Sequence, residues 1–324
     1  MTPSRTRRTL AALTLFAPLL AAAQGAANFP TKPIRFVVGY PAGSSPDMQA
    51  RMLAEPLSKA LGQPVVIENK PGAGGNLGAD LTAKGDDHTI GIIGNGPLTS
   101  APFLFPQLPY KPLQDLAPLA LVGAAPLVWI VPKAEQKASA QDYVAQLRQG
   151  GKQLAYGSTG VGAGTHLGME LIRDRLGLNL LHVPFNGGPP VLNAMAGGQI
   201  QLALMPASTA APMVQSGRIA AVAVTSTRPS PLAPGLPSME DLGIKGVSVE
   251  VWNAIMAPAS MPAAHRQKLS SELIRIIDSR ETRQKLLVQG WKVDDPSPAA
   301  LRKRMEADAK SYGDIIRKQG IKLE

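Results

Sequence analysis

The sequence contains no cysteine, which excludes disulfide bonds, thiolate metal ligands and cysteine nucleophiles together. Aromatic residues make up only 4% of the chain, whereas proteins that bind single-stranded nucleic acid use aromatic side chains on which bases stack. After residue 27, no apolar run approaches the roughly 20 residues that a transmembrane helix needs. We therefore expect a soluble mature chain whose stability comes from a packed core without disulfides.

The first 27 residues have the three parts of an export signal. An apolar run at residues 10–23 follows a basic start and precedes small residues. We expect cleavage after Ala23 or Ala27 and a periplasmic mature chain, with an uncleaved anchor as the weaker alternative. An imperfect twin-arginine match leaves the export route open. The basic start consists of Arg5, Arg7 and Arg8.

The positive charge of the chain does not indicate nucleic-acid binding. The formal net charge of +10 falls by three, to +7, when the arginines of the signal are removed. Part of the remaining excess lies in residues 302–322, where basic residues alternate with Glu306, Asp308 and Asp314. Mixed charges of this kind are typical of a solvated helix surface.

Short apolar segments alternate with helical patterns along the mature chain, which predicts an α/β protein with parallel or mixed sheets. The pattern of strand, Gly/Ser loop and helix occurs once after residue 34 and again after residue 153. Longer extended stretches at residues 119–131 and 247–257 are suited to crossing between two units. We therefore predict two lobes facing across a cleft, with 28–126 plus 252–324 as lobe 1 and 127–251 as lobe 2.

Two loops carry the features of an anion site. Each follows a strand and opens a helix, where backbone N–H groups and the helix dipole favour negative charge. Glycines allow close approach, and hydroxyl groups add donors. Helix capping and tight turns are the alternative explanation for either loop alone. The hydroxyl-bearing residues are Ser44, Ser45, Ser158, Thr159 and Thr165.

Asp47 is the acidic residue of interest in the first loop. It could orient the loop, face a cationic part of a ligand, or cap the following helix, which is the default interpretation.

Catalytic and nucleotide-binding motifs are weak. Residues 72–78 lack the final glycine of a dinucleotide fingerprint, since Leu77 stands in its place, and no Gly-Lys-Ser/Thr run is present. Ser158 lacks the first glycine of a G-x-S-x-G elbow, and His166 with Glu170 lacks the second histidine of a zinc motif. We expect no enzyme activity, no cofactor and no metal.

Several motifs together resemble a known family over essentially the whole mature chain. They are the residues 33–43 with Asp47 and Arg51, the run 62–78, Tyr156–Gly160 through His166-Leu167, His182–Phe185, Gly197–Gln199 and Ala223–Thr225. This set resembles the substrate-binding proteins of the tripartite tricarboxylate transporter family, the Bug-type periplasmic receptors.

The resemblance implies a type II periplasmic-binding-protein (Venus flytrap) fold, with two mixed or parallel sheets flanked by helices and a ligand cleft between the lobes. It implies a monomer that captures a small carboxylate and delivers it to large and small integral-membrane transporter subunits. Ligand contacts would come from the two loops and neighbouring segments. Carried over to this chain, these residues are Tyr40, Ala42, Gly43, Ser44, Asp47, Asn95, Ser158, Thr159, Gly160, Thr165, Phe185 and Asn186.

The chain departs from the family pattern in ways that remove charge. Ala42 and Ser44 stand where proline and a second glycine are usual, Phe185-Asn186 where Tyr-Arg is more common, and Met205 where an acidic residue is common. These departures predict a ligand with one carboxylate and a fairly apolar body. A receptor for a signalling partner, or an exported enzyme using Ser158 or His166, are the alternatives.

Overall fold

The computed structural model describes residues 29–151 and 153–322, so the expected export signal lies outside the described residues. Within them, nine strands form one curled mixed sheet. The strands are β1 (Ile34–Val38), β2 (Val65–Asn69), β3 (Thr89–Gly94), β4 (Leu116–Pro132), β5 (Leu154–Ser158), β6 (Leu180–Pro184), β7 (Leu202–Pro206), β8 (Ile219–Val224) and β9 (Glu250–Pro258).

The helices cover the faces of this sheet. Those of the first half of the chain are α1 (Ser45–Leu61), α2 (Asn76–Ala83), α3 (Ala101–Leu104), α4 (Pro112–Asp115) and α5 (Ala140–Arg148). Those of the second half are α6 (Gly164–Leu176), α7 (Gly188–Ala196), α8 (Ala207–Gln215), α9 (Ala263–Ile277), α10 (Arg280–Val288) and α11 (Pro298–Gln319). No helix of the described ranges combines the length and hydropathy that a membrane crossing requires.

The strand order, β2-β1-β3-β9-β4-β7-β5-β6 with β8 also paired to β4, divides the molecule into two lobes. Lobe 1 is built on β1, β2, β3 and β9, and lobe 2 on β5, β6, β7 and β8. The long strand β4 belongs to both: its residues up to Pro126 pair with β9, and those from Leu127 pair with β7. The two predicted sheets are thus joined through one shared strand.

Each lobe has its own apolar core, which holds its loops in place. In lobe 1, Phe36 and Ile255 of the sheet pack with Leu53 and Leu57 of α1 and Leu273 of α9. In lobe 2, a second cluster includes Trp129, Tyr156, Met169, Leu204 and Val222. Burying each of these large apolar side chains stabilises the fold by about 1.5–3 kcal/mol.

Most predicted elements coincide with observed ones within a few residues, but the sequence pattern predicts neither α3 and α4 nor α8. The α8 segment contains Pro206 as its N-cap and Pro212 inside the helix, and both read as loop residues in sequence. Pro206 supplies the extended backbone that precedes the first turn, where a free N–H is not required. Helix α8 matters because its start lies at the cleft.

Candidate functional site

A cavity lies between the lobes, at the carboxyl ends of the strands, where ligands bind in open α/β sheets. The empty space there, part of which is open to solvent, has a volume of about 510 Å³. Among the described residues, no Asp, Glu, Lys, Arg or His lines it. The lining is instead glycine, hydroxyl, amide and apolar side chains, including Met205, Val251 and Trp291.

Several helices start at this cavity. First-turn residues that line it are Ser45 of α1, Gly164 and Thr165 of α6, Gly188 of α7 and Thr209 of α8. The first N–H groups of an α-helix have no partner within the helix, and each helix start carries partial positive charge. These helix starts favour a negative charge in the cavity, although no cationic side chain of the described residues lines it.

The first loop is fixed by Asp47, which is 2% exposed. Its carboxylate accepts hydrogen bonds from the Gly43 N–H at 2.9 Å, the Asn69 amide at 2.9 Å and the Arg51 guanidinium at 3.0 Å. Burial would raise the pKa of Asp47, but the bonds from Arg51, Gly43 and Asn69 outweigh it and lower that pKa. Asp47 thus orients the loop, and the default expectation that it caps the helix is wrong.

The hydroxyls of Ser44 and Tyr40 also hold the first loop in place through hydrogen bonds. Ser44 occupies the N-cap of α1, yet its hydroxyl makes no capping bond and donates to the Pro41 carbonyl at 2.7 Å. The Tyr40 hydroxyl donates to the Gly74 carbonyl at 3.1 Å. Burial raises the pKa of Tyr40 far above its ordinary value, so this hydroxyl remains a donor at physiological pH.

The second loop rests on a buried stack of Tyr156, His182 and His166, in which the two imidazole rings lie 4.0 Å apart. His182 Nε2 contacts the Ser158 hydroxyl at 2.7 Å, and the Ser158 hydroxyl accepts from the Gly160 N–H at 3.2 Å. Above this support, the Thr159 N–H donates to the Thr165 hydroxyl at 3.0 Å. The stack therefore supports the second loop through the contact between His182 and Ser158.

The lobes touch directly around the cavity. The hydroxyls of Ser45 in lobe 1 and Thr209 in lobe 2 are hydrogen-bonded at 2.7 Å. The Ser100 hydroxyl of lobe 1 donates to the Gly162 carbonyl at 2.5 Å. These bonds show that the structure is the closed form, since separating the lobes would break them.

The structure brings five of the twelve predicted site residues into the lining. These are Tyr40, Ser44, Asn95, Thr159 and Thr165. Ala42, Gly43 and Asp47 lie in the first loop outside the lining. Ser158 and Gly160 lie in the second loop, and Phe185 and Asn186 precede α7, also outside it.

Sequence reasoning missed Asn253, and Thr209 was missed together with α8. Asn253 is the one amide side chain between Val251 and Met256 of a buried strand. A single polar residue in such an apolar run is a sequence signal for a site residue. Thr209 follows the carboxyl end of β7, where site residues are expected. Trp291, in the segment between α10 and α11, carried no comparable signal.

The chain is similar to known proteins over nearly its whole length. Residues 49–321 match the sequence profile described as "Tripartite tricarboxylate transporter family receptor". The chain is 30% identical to Protein BugT of Bordetella pertussis over 308 residues, 94% of each chain.

Solved structures with the same fold include two with a bound dicarboxylate. The periplasmic binding protein BugD is 29% identical, with a TM-score of 0.85 over 91% of this chain and 100% of its own. An R. palustris protein with adipate is 28% identical, with a TM-score of 0.86 and the same coverage. MatC from Rhodopseudomonas palustris with bound malate is 27% identical, with a TM-score of 0.81 over 89% of this chain and 100% of its own.

Proposed function

This chain belongs to the receptor family of tripartite tricarboxylate transporters, and from that premise we propose how it selects its ligand. It is a periplasmic-type solute receptor with the two-lobed fold of that family. We propose that its ligand is a small molecule with one carboxylate and a mostly apolar body. The observation that carries this proposal is a cavity between helix starts that contains no charged side chain among the described residues.

The carboxylate would be held by neutral donors. The Thr159 and Thr165 hydroxyls are hydrogen-bonded to each other at 2.9 Å, so one of them remains free to donate to a ligand. Together with the first-turn N–H groups of α1 and α6, it offers several hydrogen bonds to one anion. Hydrogen bonds to a charged group contribute about 1.5–3 kcal/mol each. A second carboxylate would add another negative charge to a cavity that no cationic side chain of the described residues lines, and burying a charge without an opposite charge is costly. One carboxylate is therefore favoured over two or three.

Among the predicted contacts, we propose that Tyr40, Ser44, Asn95, Thr159 and Thr165 form the ligand site, with Ser45, Thr209 and Asn253 added. Their common support is that all of them line the cavity. Direct contact by the other seven predicted residues stays a prediction. Asp47 and Ser158 have full sets of protein partners, which suits supporting roles.

Binding would be coupled to lobe closure. We propose the lobe boundaries 28–126 plus 252–324 and 127–251, because the pairing of β4 changes between Pro126 and Leu127. The ligand would contact both loops only in the closed form, and that differential affinity drives closure. The closed surface would then be recognised by the membrane partner.

Receptors of this family serve membrane transporters. We propose that this chain is exported by the signal at residues 1–27, acts as a monomer and delivers its ligand to a large and a small integral-membrane subunit. It performs no chemical step in this scheme. Copurification of the mature chain with the two subunits, in the presence of ligand, tests the partnership.

Thermal unfolding tests the ligand class. The mature chain is first unfolded and refolded to remove any copurified molecule, then heated with monocarboxylates, dicarboxylates, tricarboxylates and neutral amides of matched size. A ligand at 100 times its Kd should stabilise the protein by about 2.7 kcal/mol, a clear rise in Tm. A rise with monocarboxylates supports the proposal, whereas a rise only with dicarboxylates or tricarboxylates, or with none of the acids, overturns it.

A further inference from the structure

Asn95 presents a hydrogen-bond acceptor to the cavity. It follows β3, is 4% exposed and lines the cavity between the lobes. Its amide nitrogen Nδ2 donates to the Tyr312 hydroxyl at 3.2 Å and to the Glu250 carbonyl at 3.4 Å. Neither Tyr312 nor Glu250 lines the cavity. The carbonyl oxygen Oδ1 is therefore the polar atom of Asn95 that faces the ligand space.

The orientation of this amide is set by its surroundings. The Glu250 carbonyl can only accept a hydrogen bond, so Oδ1 in the place of Nδ2 would bring two acceptors together. The Tyr312 hydroxyl also contacts the Glu250 carbonyl, at 3.3 Å, so it donates there and accepts from Asn95. Among the described residues, Asn95 Oδ1 has no hydrogen-bond partner, and it is not among the fully buried polar atoms that lack one. It is therefore open to the cavity, where it gains from a donor on the ligand.

Asn253 lies beside Asn95 on the same wall, because it pairs with Gly94 across β3 and β9. Its Nδ2 donates to Gln49 Oε1 at 2.8 Å, which leaves its own Oδ1 on the cavity side. A concerted turn of the Asn253 and Gln49 amides would present an N–H instead, whereas the Asn95 amide is fixed by Glu250 and Tyr312. Asn253 adds a second amide with which a polar ligand group can bond.

We infer that the ligand carries, besides its carboxylate, a neutral hydrogen-bond donor that binds Asn95 Oδ1. This inference rests on the proposed function, since it assumes that a carboxylate occupies the cavity. The donor is neutral because no acidic side chain of the described residues lines the cavity to balance an ammonium group. A hydroxyl and a carboxamide N–H are the two sources of that donor.

Matched ligand pairs test the inference by isothermal titration calorimetry on the refolded mature chain. The pairs are butanoate with 3-hydroxybutanoate, hexanoate with 6-hydroxyhexanoate, and 4-oxopentanoate with succinamate, in which a carboxamide NH2 replaces the methyl group. We expect at least one donor-bearing member to bind about tenfold or more tightly than its partner, because a site built for a donor rejects the analogue that lacks it. The hydroxyl and carboxamide pairs distinguish the two sources.

Variants then assign the effect to Asn95. In Asn95→Leu the acceptor is lost at similar volume, and the affinity ratio within the preferred pair should fall towards one. In Tyr312→Phe the ring is kept but the hydroxyl that holds Nδ2 is removed, and the ratio should fall partly. Asn193→Leu, at an exposed position of α7, is the matched control and should keep the full ratio.

The outcomes separate the two proposals. Carboxylates that bind with equal affinity whether or not they carry a donor overturn this inference and leave the proposed function standing. Binding of no acid in the panel overturns the proposed function itself. A ratio that persists unchanged in Asn95→Leu also overturns the assignment to Asn95. Should Asn95→Leu fail to fold, the ligand pairs on the wild-type chain still decide whether the donor is required.

Discussion

Gly74 of lobe 1 and Gly160 of lobe 2 meet backbone to backbone, so closely that a Cβ on Gly160 would lie 2.4 Å from the Gly74 Cα. The contact joins the loop before α2 to the loop before α6. It lies beside the cavity, in neither lobe's core. Only a chain with glycine at residue 160 can reach the closed form seen here.

Gly160→Ala should therefore prevent full closure. We expect the affinity for the best carboxylate to fall by tenfold or more, with a larger radius of gyration in the presence of ligand by small-angle scattering. Gly151→Ala is the control, because Gly151 has a similarly positive φ (123°, against 140° for Gly160) but open space where its Cβ would be. Equal losses of affinity in both variants would show that backbone strain causes the loss, and would contradict a role for the contact between Gly74 and Gly160 in closure.

Thr209→Val should weaken ligand binding without changing the shape of the side chain. It removes the hydroxyl that bonds to Ser45 across the cleft at 2.7 Å. A hydrogen bond of this kind is worth about 0.5–1.5 kcal/mol, so we expect Kd to rise roughly threefold to tenfold in calorimetric titrations. Thr227→Val, at an exposed position, should leave Kd unchanged, and an equal rise there would contradict the role of Thr209.

Asp47→Asn should destabilise the fold by about 1–3 kcal/mol at pH 7, because Arg51, Gly43 and Asn69 lose a charged acceptor. The pKa of Asp47 in the folded protein lies below its ordinary value of 3.8. Its stabilising effect is thus complete above pH about 4 and lost as the pH falls through the folded pKa. Urea unfolding at pH 7 and pH 3 should show the difference shrinking at the lower pH; a constant difference would argue against the ionised network.

His166 and His182 should make the fold sensitive to mild acid. Burial lowers the pKa of His166 to about 3, helped by His182 and Arg173, and burial lowers that of His182 to about 4. Both are neutral when folded, whereas the unfolded chain takes up protons below pH 6.5, so stability falls as the pH drops from 6.5 towards 4. The slope approaches about 1.4 kcal/mol per pH unit for each histidine.

His182→Asn should reduce that slope in urea unfolding measured at pH 7, 6 and 5. The Asn side chain does not titrate, so one of the two proton uptakes is removed. A variant that loses stability as steeply as the wild type would show that His182 is not responsible.

The sequence predicts the fold and the two loops well, because these depend on local signals. Alternating apolar segments place β1 and β5, and the glycines at residues 39, 43, 160 and 162 mark the loops that follow them. The helix start at Ser297-Pro298 is likewise a local pattern, and it coincides with the start of α11.

The remaining part of the site depends on contacts between distant residues. Ser45 and Thr209 are 164 positions apart, and Asn95 and Tyr312 are 217 apart. No local pattern shows which hydroxyl or amide of one lobe will face the other. Likewise, the role of Asp47 follows from Asn69, which reaches it only after β2 is paired with β1.

The most direct test of the account is a crystal structure of the mature chain with the monocarboxylate that raises its Tm most. We predict closed lobes, the carboxylate against the first turns of α1 and α6 within reach of Thr159 and Thr165, and no charged side chain in contact with it. A ligand bound outside the cleft, or a carboxylate paired with an arginine or lysine, would contradict selection by neutral donors.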